Sequence, residues 1–230
     1  MNNFASENQI SPKIAIIDYE MGNLFSVKRA CEFAHLNGII TNSITEIASS
    51  DAVILPGVGA FGDAMKNLIK LRLVRILQDL VGTSKPFIGI CLGMQLLMDE
   101  SYEFGHNQGL GIIKGTVKRF NNPIDENGRK LTIPQVGWNR IFKTNGKTSG
   151  DVWQNSMLSG IPDGEFMYFV HSYCVHPDDE DVALSKTSYG NEDFCSSLQY
   201  LNVFATQYHP ERSGERGLQL YKNLAALLNK

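Results

Sequence analysis

Apolar residues in this chain fall first into short continuous runs and later into alternating ones. Lys13-Ile-Ala-Ile-Ile-Asp18 is a β-branched run that ends in polar residues. Ala52-Val-Ile-Leu55 is a second run, ended by Pro56-Gly57, and Phe87-Ile-Gly-Ile90 is a third. The segments between them carry apolar residues at helical spacing. Leu24 to Ala34 reads as one helix, closed by Asn37-Gly38. Asp63 to Leu80 reads as another, with Met65, Leu68, Ile69, Val74 and Leu77 in register, and Leu92 to Met98 as a third. Continuous apolar strands separated by helices predict a parallel sheet covered on both faces.

After Gly105 the pattern changes. Gly115 to Phe120, Phe166 to Val170 and Phe194 to Gln199 are strand-like, and turn-rich stretches such as Asn121 to Gly128 separate them. They predict an antiparallel or mixed section on the sheet edge. Val203 to Tyr208 reads as a strand and Glu215 to Leu228 as a closing helix. The expected fold class is α/β, with a mostly parallel central sheet flanked by helices and an added antiparallel edge section. Residues 1–12 are polar and read as a disordered N-terminal extension, leaving 13–230 as one domain. No internal repeat, low-complexity tract or linker is present.

Composition narrows the function classes. The chain has 230 residues, 43% of them hydrophobic, enough for one sizeable core. Its net charge of −3 gives no reason to expect a nucleic-acid partner. No apolar run approaches the ~20 residues of a membrane span. The start lacks the basic flank and apolar stretch of a signal peptide. Cysteines at 31, 91, 174 and 195 include no C-x-x-C pair, so neither a zinc site nor a redox dithiol is expected. A reducing cytoplasm is the expected location, and no metal or organic cofactor is expected.

Gly89-Ile-Cys91-Leu-Gly93 has the pattern Gly-x-nucleophile-x-Gly between a buried strand and a helix. A nucleophile elbow needs this context, because its sharp turn crowds the residues two before and two after. The amide of Leu92 then sits at a helix start, where free N–H groups favour a thiolate and an oxyanion. An arbitrary cysteine is more often a small buried hydrophobe. The glycine frame sets Cys91 apart, whereas Cys31, Cys174 and Cys195 lack it and read as structural.

The strand ending at Tyr208 runs into His209-Pro210-Glu211. Proline biases the preceding residue towards extended geometry, and in an extended chain residues two apart point the same way. His209 and Glu211 then emerge together, and a carboxylate beside an imidazole fixes its tautomer. Alone, the tripeptide reads as a solvated turn; with the elbow cysteine it completes a Cys-His-Glu set. His171 and His176 flank Cys174 and read as packed strand histidines rather than ligands.

Gly57-Val-Gly59-Ala-Phe-Gly62 fits the dinucleotide fingerprint G-x-G-x-x-G. Its strand is not the first of the fold, however, and Pro56 stiffens the turn. Two readings stay open: an ordinary tight turn, or a strand end that aims a backbone N–H at a developing oxyanion.

With these motifs assembled, the chain resembles the class I (triad) glutamine amidotransferases, whose fold is flavodoxin-like. More narrowly, it is similar to the glutaminase subunits of imidazole glycerol phosphate synthases. The resemblance runs from about Lys13 to the end. It rests on Ile17-Asp-Tyr-Glu-Met-Gly-Asn23, Pro56 to Asp63, Gly89 to Gln95, Pro134-Gln-Val-Gly-Trp-Asn139, Tyr168-Phe-Val-His-Ser-Tyr173 and Gln207-Tyr-His-Pro-Glu-Arg-Ser213. It implies Cys91 as nucleophile, His209 as base and Glu211 as orienter. It implies an oxyanion hole from Gly57, Val58, Gly59 and the Leu92 amide, and a glutamine site at Gln95 and Glu103. It also implies a heterodimer with a (β/α)8-barrel cyclase, faced by Asn23, Tyr168 and Arg212. That cyclase uses the ammonia to make imidazole glycerol phosphate and AICAR in histidine biosynthesis. Arg212 stands where the family commonly has lysine, Gln135-Val136 where it has His-Met, and Tyr19-Glu20-Met21 where it has Tyr-Gly-Met. The alternative acceptor is a paralogous partner in surface-sugar amidination. Two rival functions are a cysteine peptidase or esterase on the same fold and a catalytically silent regulatory subunit.

Overall fold

A computed structural model of the chain describes residues 11–144 and 151–229. Residues 1–10 of the expected extension lie outside the described residues. Pro12 accepts a hydrogen bond from the Asn37 N–H at 2.9 Å.

Among the described residues nine strands form the main sheet, in the order β2-β1-β3-β4-β13-β12-β11-β8-β9. Its first five members, β2 (Asn37–Thr41), β1 (Lys13–Ile17), β3 (Ala52–Gly57), β4 (Phe87–Cys91) and β13 (Val203–Thr206), are parallel. The rest, β12 (Glu192–Tyr200), β11 (Ala183–Tyr189), β8 (Gln135–Lys143) and β9 (Glu165–His171), pair antiparallel. Gly115 to Phe120 does not join this edge as expected. It forms β7 (Ile113–Arg119) in a separate sheet ordered β10-β7-β5-β6, with β5 (Met98–Ser101), β6 (Asn107–Gln108) and β10 (Tyr173–Pro177).

Both faces of the parallel half are buried. Ala15, Ile17, Val53 and Leu55 pack with Phe61, Ala64 and Leu68 of α3 (Phe61–Lys70) and Leu77 of α4 (Val74–Asp79). Ile14, Ile16, Ile54 and Ile88 pack with Val27 and Cys31 of α1 (Leu24–Phe33) and Leu220 and Leu224 of α6 (Gly214–Leu228). Alternation along each strand sends odd and even residues to opposite layers, so every position is apolar.

Several boundaries differ from the expected ones. Asn37-Gly38 does not stop the first helix but opens β2, whose Ile39 and Ile40 pair with Ala15 and Ile16. Helix α2 (Ile44–Ser49) follows, capped by Ser43. The segment Asp63 to Leu80 is two helices, broken at Arg72 with φ 59°. No Gly or Pro marks that break; Leu73 N–H instead bonds back to Leu68 O at 2.9 Å. Helix α5 (Leu92–Leu96) is shorter than expected, and Met98 already belongs to β5. Pro56-Gly57 extends β3, because β1 pairs only as far as Ile54 and asks no N–H of Pro56.

Among the described residues, no helix is long and apolar enough to cross a membrane.

Candidate active site

Cys91 is the last residue of β4, and α5 (Leu92–Leu96) begins at the next. The turn between them holds Cys91 at φ 53° and ψ −107°, a conformation L-residues avoid at a cost of about 1–3 kcal/mol. Gly93 makes the turn possible. A β-carbon there would sit 1.8 Å from the Leu55 carbonyl oxygen of β3, so helix and strand touch backbone to backbone. This is the elbow geometry the glycine pattern predicts.

His209 follows β13 and emerges at the same carboxyl edge as β4, its parallel neighbour. Its Nδ1 lies 2.8 Å from Glu211 Oε1, and the two side chains are only 5% and 2% exposed. The other ring nitrogen, Nε2, is buried without a hydrogen-bond partner, as is Glu211 Oε2. Burial opposes a charge on His209. Cys91 and the Glu211 hydrogen bond outweigh it and push the imidazole up to about 10, so it holds its proton at neutral pH.

A cleft of about 230 Å³ opens over Cys91. Val58, Gly59, Leu92, Gln95, Glu103, Pro134 and the stretch Val170 to Tyr173 line it. Its size suits a small molecule rather than a drug-sized one. A larger hollow of about 530 Å³ lies at the opposite ends of β4 and β13, beside Phe87 and Val203, and holds none of the chemistry-bearing residues.

Of the residues singled out in the sequence, Val58, Gly59, Cys91, Leu92, Gln95 and Glu103 line the cleft, while Gly57, His209 and Glu211 do not. Gln95 donates to the Tyr173 carbonyl at 2.8 Å and to Gln207 Oε1 at 3.2 Å. Glu103 Oε2 accepts the Phe61 N–H at 2.5 Å, which supplies the α3 cap that Ala60 lacks. Burial raises the Glu103 pKa, and that amide bond partly offsets it. Gly57 pairs with Cys91 across β3 and β4, Val58 is half exposed, and Gly59 has φ 114°.

Asn23, Tyr168 and Arg212 lie outside the cleft. Asn23 is exposed and caps α1 through Ser26 N–H at 3.4 Å. The Arg212 guanidinium sits 4.8 Å from the Tyr168 ring centre, and Trp138 packs edge-on against the same ring at 6.1 Å. Tyr168 is tied to the site by its backbone. Its carbonyl accepts the His209 N–H at 2.9 Å, and its N–H donates to Ser213 Oγ at 2.9 Å. Ser213 in turn donates to the His209 carbonyl at 2.6 Å.

Two residues beside Cys91 or in the cleft lining were given no role from sequence. Gln207, fully buried, points Nε2 at Cys91 Sγ at 3.6 Å. Its signal was available: in an extended chain 207, 209 and 211 share one side. His171 is also buried, with Nδ1 2.9 Å from the Tyr173 carbonyl and Nε2 unpaired. Burial lowers its pKa to about 4, so it is neutral. His176 lies 3.7 Å from Cys174 Sγ. Among the described residues no His, Cys, Asp and Glu cluster is placed to hold a metal ion.

A strand-to-helix cysteine, an imidazole held by a buried carboxylate and a small cleft are the parts that thiol-dependent acyl transfer needs. The chain belongs to the class-I glutamine amidotransferase family, whose model matches residues 15–226. Within that family it is similar to proteins named imidazole glycerol phosphate synthase subunit HisH. It is 46% identical to the one from Aquifex aeolicus, over 92% of this chain and 95% of that protein. It is 43% identical to the one from Syntrophotalea carbinolica, over 91% and 98%. Solved structures share the fold at low identity. One described as a glutamine amidotransferase superposes with TM-score 0.67 at 16% identity, over 94% of this chain and 99% of that one. PurLQS from Thermotoga maritima gives 0.66 at 17%, over 94% and 98%.

Proposed function

We propose that this chain works as the glutaminase subunit of an imidazole glycerol phosphate synthase. It hydrolyses glutamine to glutamate and ammonia and passes the ammonia to a (β/α)8-barrel cyclase. The observation that carries this reading is Cys91 on its elbow in the cleft lining, with His209, held by Glu211, against it from the end of the adjacent strand.

Gln95 and Glu103 hold the amino-acid end of glutamine, and its carboxamide lies over Cys91. The Cys91 sulfur attacks the carboxamide carbon. The resulting oxyanion takes the N–H groups of Leu92 and Val58, each donor worth about 3 kcal/mol. His209, protonated and held by Glu211, gives its proton to the departing nitrogen. Ammonia leaves and a γ-glutamyl thioester remains on Cys91. His209, now neutral, takes a proton from water as it attacks, and glutamate is released with the thiol restored.

Ammonia set free in bulk water would be protonated and lost, so direct transfer is expected. The Arg212–Tyr168–Trp138 face supports docking of the cyclase, because Tyr168 is bonded through its backbone to His209. In the assembled synthase, Cys91→Ala should abolish glutamine-dependent synthesis, a loss of about 10³-fold or more. Synthesis from added ammonium salt should persist. Glutamine-dependent turnover in Cys91→Ala would rule out this nucleophile.

A further inference from the structure

Tyr19 belongs to the Asp18-Tyr-Glu-Met-Gly22 stretch just beyond β1, to which the mechanism so far gives no task. The side chain is fully buried, and its hydroxyl has no hydrogen-bond partner. A buried hydroxyl left unpaired is costly, so such a group calls for a reason. Its position is well defined. A β-carbon on Gly57 would fall 2.0 Å from the Tyr19 oxygen and 3.0 Å from Leu92 Cβ. The hydroxyl therefore rests against the bare Cα of Gly57, beside the residue whose amide follows Cys91. The Asn67 side chain donates to the Tyr19 carbonyl at 3.0 Å and pins its backbone. Burial first, and then Cys91, hold the phenol well above its ordinary pKa, so it remains a donor.

The backbone that the hydroxyl rests against is that of Gly57, which offers a carbonyl acceptor. A trans peptide points its C=O and N–H in opposite directions. Val58 and Gly59 line the cleft, whereas Tyr19 packs in the core behind them with Leu55 and Leu92. When the Gly57–Val58 peptide turns its N–H into the cleft, its carbonyl swings to the core side, where the hydroxyl waits. That rotation turns ψ of Gly57 and φ of Val58, so glycine takes up one half of it at little steric cost.

We propose that Tyr19 is a positioning residue for the oxyanion hole, its hydroxyl donating to the Gly57 carbonyl only when the Val58 N–H faces the substrate. The hydroxyl thus weights the loop towards its reactive orientation. It is unpaired at rest and paired when the hole is complete. Such a bond shifts the population by a modest factor and leaves glutamine binding at Gln95 and Glu103 alone.

This inference rests on the glutaminase reading, and the test separates the two. Glutamate release is measured for wild type, Cys91→Ala and Tyr19→Phe, each alone and with the cyclase, together with thermal unfolding of each chain. Wild type no faster than Cys91→Ala in either setting would overturn the functional reading itself. Given wild-type activity, Tyr19→Phe should lower kcat of the chain alone about 3- to 10-fold. KM should stay within about twofold, and the cyclase should recover part of the loss. Its Tm should equal or exceed wild type, since the variant removes an unpaired polar group. An unchanged kcat in both settings, a loss carried by KM, or a lowered Tm would overturn the role of Tyr19.

Discussion

His209 and His171 sit in one buried site and are shifted in opposite directions. Burial lowers His171 to about 4, and its Tyr173 bond only partly offsets this. His209 is raised to about 10 because Cys91 and Glu211 outweigh its burial. The opposite shifts favour the proton on His209 over His171. His209→Ala should lose acid and base together and approach the Cys91→Ala loss. Glu211→Gln should lose less, by about tenfold or more, because an orienter is not obligatory. Steady-state glutamate release reads both; equal and negligible losses would reduce His209-Pro210-Glu211 to a turn. His171 also sets a stability window. Its folded value lies below the unfolded one of about 6.5, so the unfolded chain binds more protons between the two. That contribution is complete above pH 6.5 and is lost as pH falls through about 4, roughly 3 kcal/mol in all. Urea melts of wild type and His171→Leu should diverge over this window, with the shallower slope in the variant. Parallel curves would contradict the assignment.

At the scale of elements, the site depends on how closely β3, β4 and α5 approach. Gly93→Ala would drive a β-carbon into the Leu55 carbonyl, and backbone on both sides leaves little room to yield. It should destabilise the fold by about 1–3 kcal/mol and displace Cys91. Thermal unfolding at wild-type temperature with full activity would show that the contact is not needed. This part was legible in the sequence: glycine two before and two after a cysteine, between an apolar run and a helical one, has few other uses. The parallel strands were legible because both faces are apolar. The rest was not, for physical reasons. Arg72 turns the chain with φ 59° and no glycine to announce it. Strand β8 alternates weakly, with Val136 and Trp138 exposed, so its burial pattern gives little signal. Gln207, one residue beyond β13, shares a side with 209 and 211 in an extended chain, but only its distance to Cys91 separates it from a packed glutamine. Glu103 shows the converse. The resemblance implied a hold on substrate, while the fold also uses its carboxylate to cap α3.

Over the whole molecule, the antiparallel half of the sheet links a surface to the site. Strand β9 carries Tyr168 on the Arg212–Trp138 face and Val170 and His171 at the cleft. A partner that grips Tyr168 pulls on the residue whose carbonyl holds His209. The chain alone should therefore release glutamate slowly, and the cyclase should raise the rate by about 100-fold or more if one oxyanion donor is gained. Full activity without the cyclase would dissociate docking from catalysis. In the proposed mechanism Cys91 alone among the four buried thiols attacks glutamine. The most direct test is a glutamine analogue with a chloroketone in place of the carboxamide, followed by peptide mass analysis. One adduct per chain is expected, on Cys91, formed in step with loss of glutaminase activity and absent from Cys91→Ser. Labelling at Cys31, Cys174 or Cys195, or activity that survives full labelling of Cys91, would contradict it.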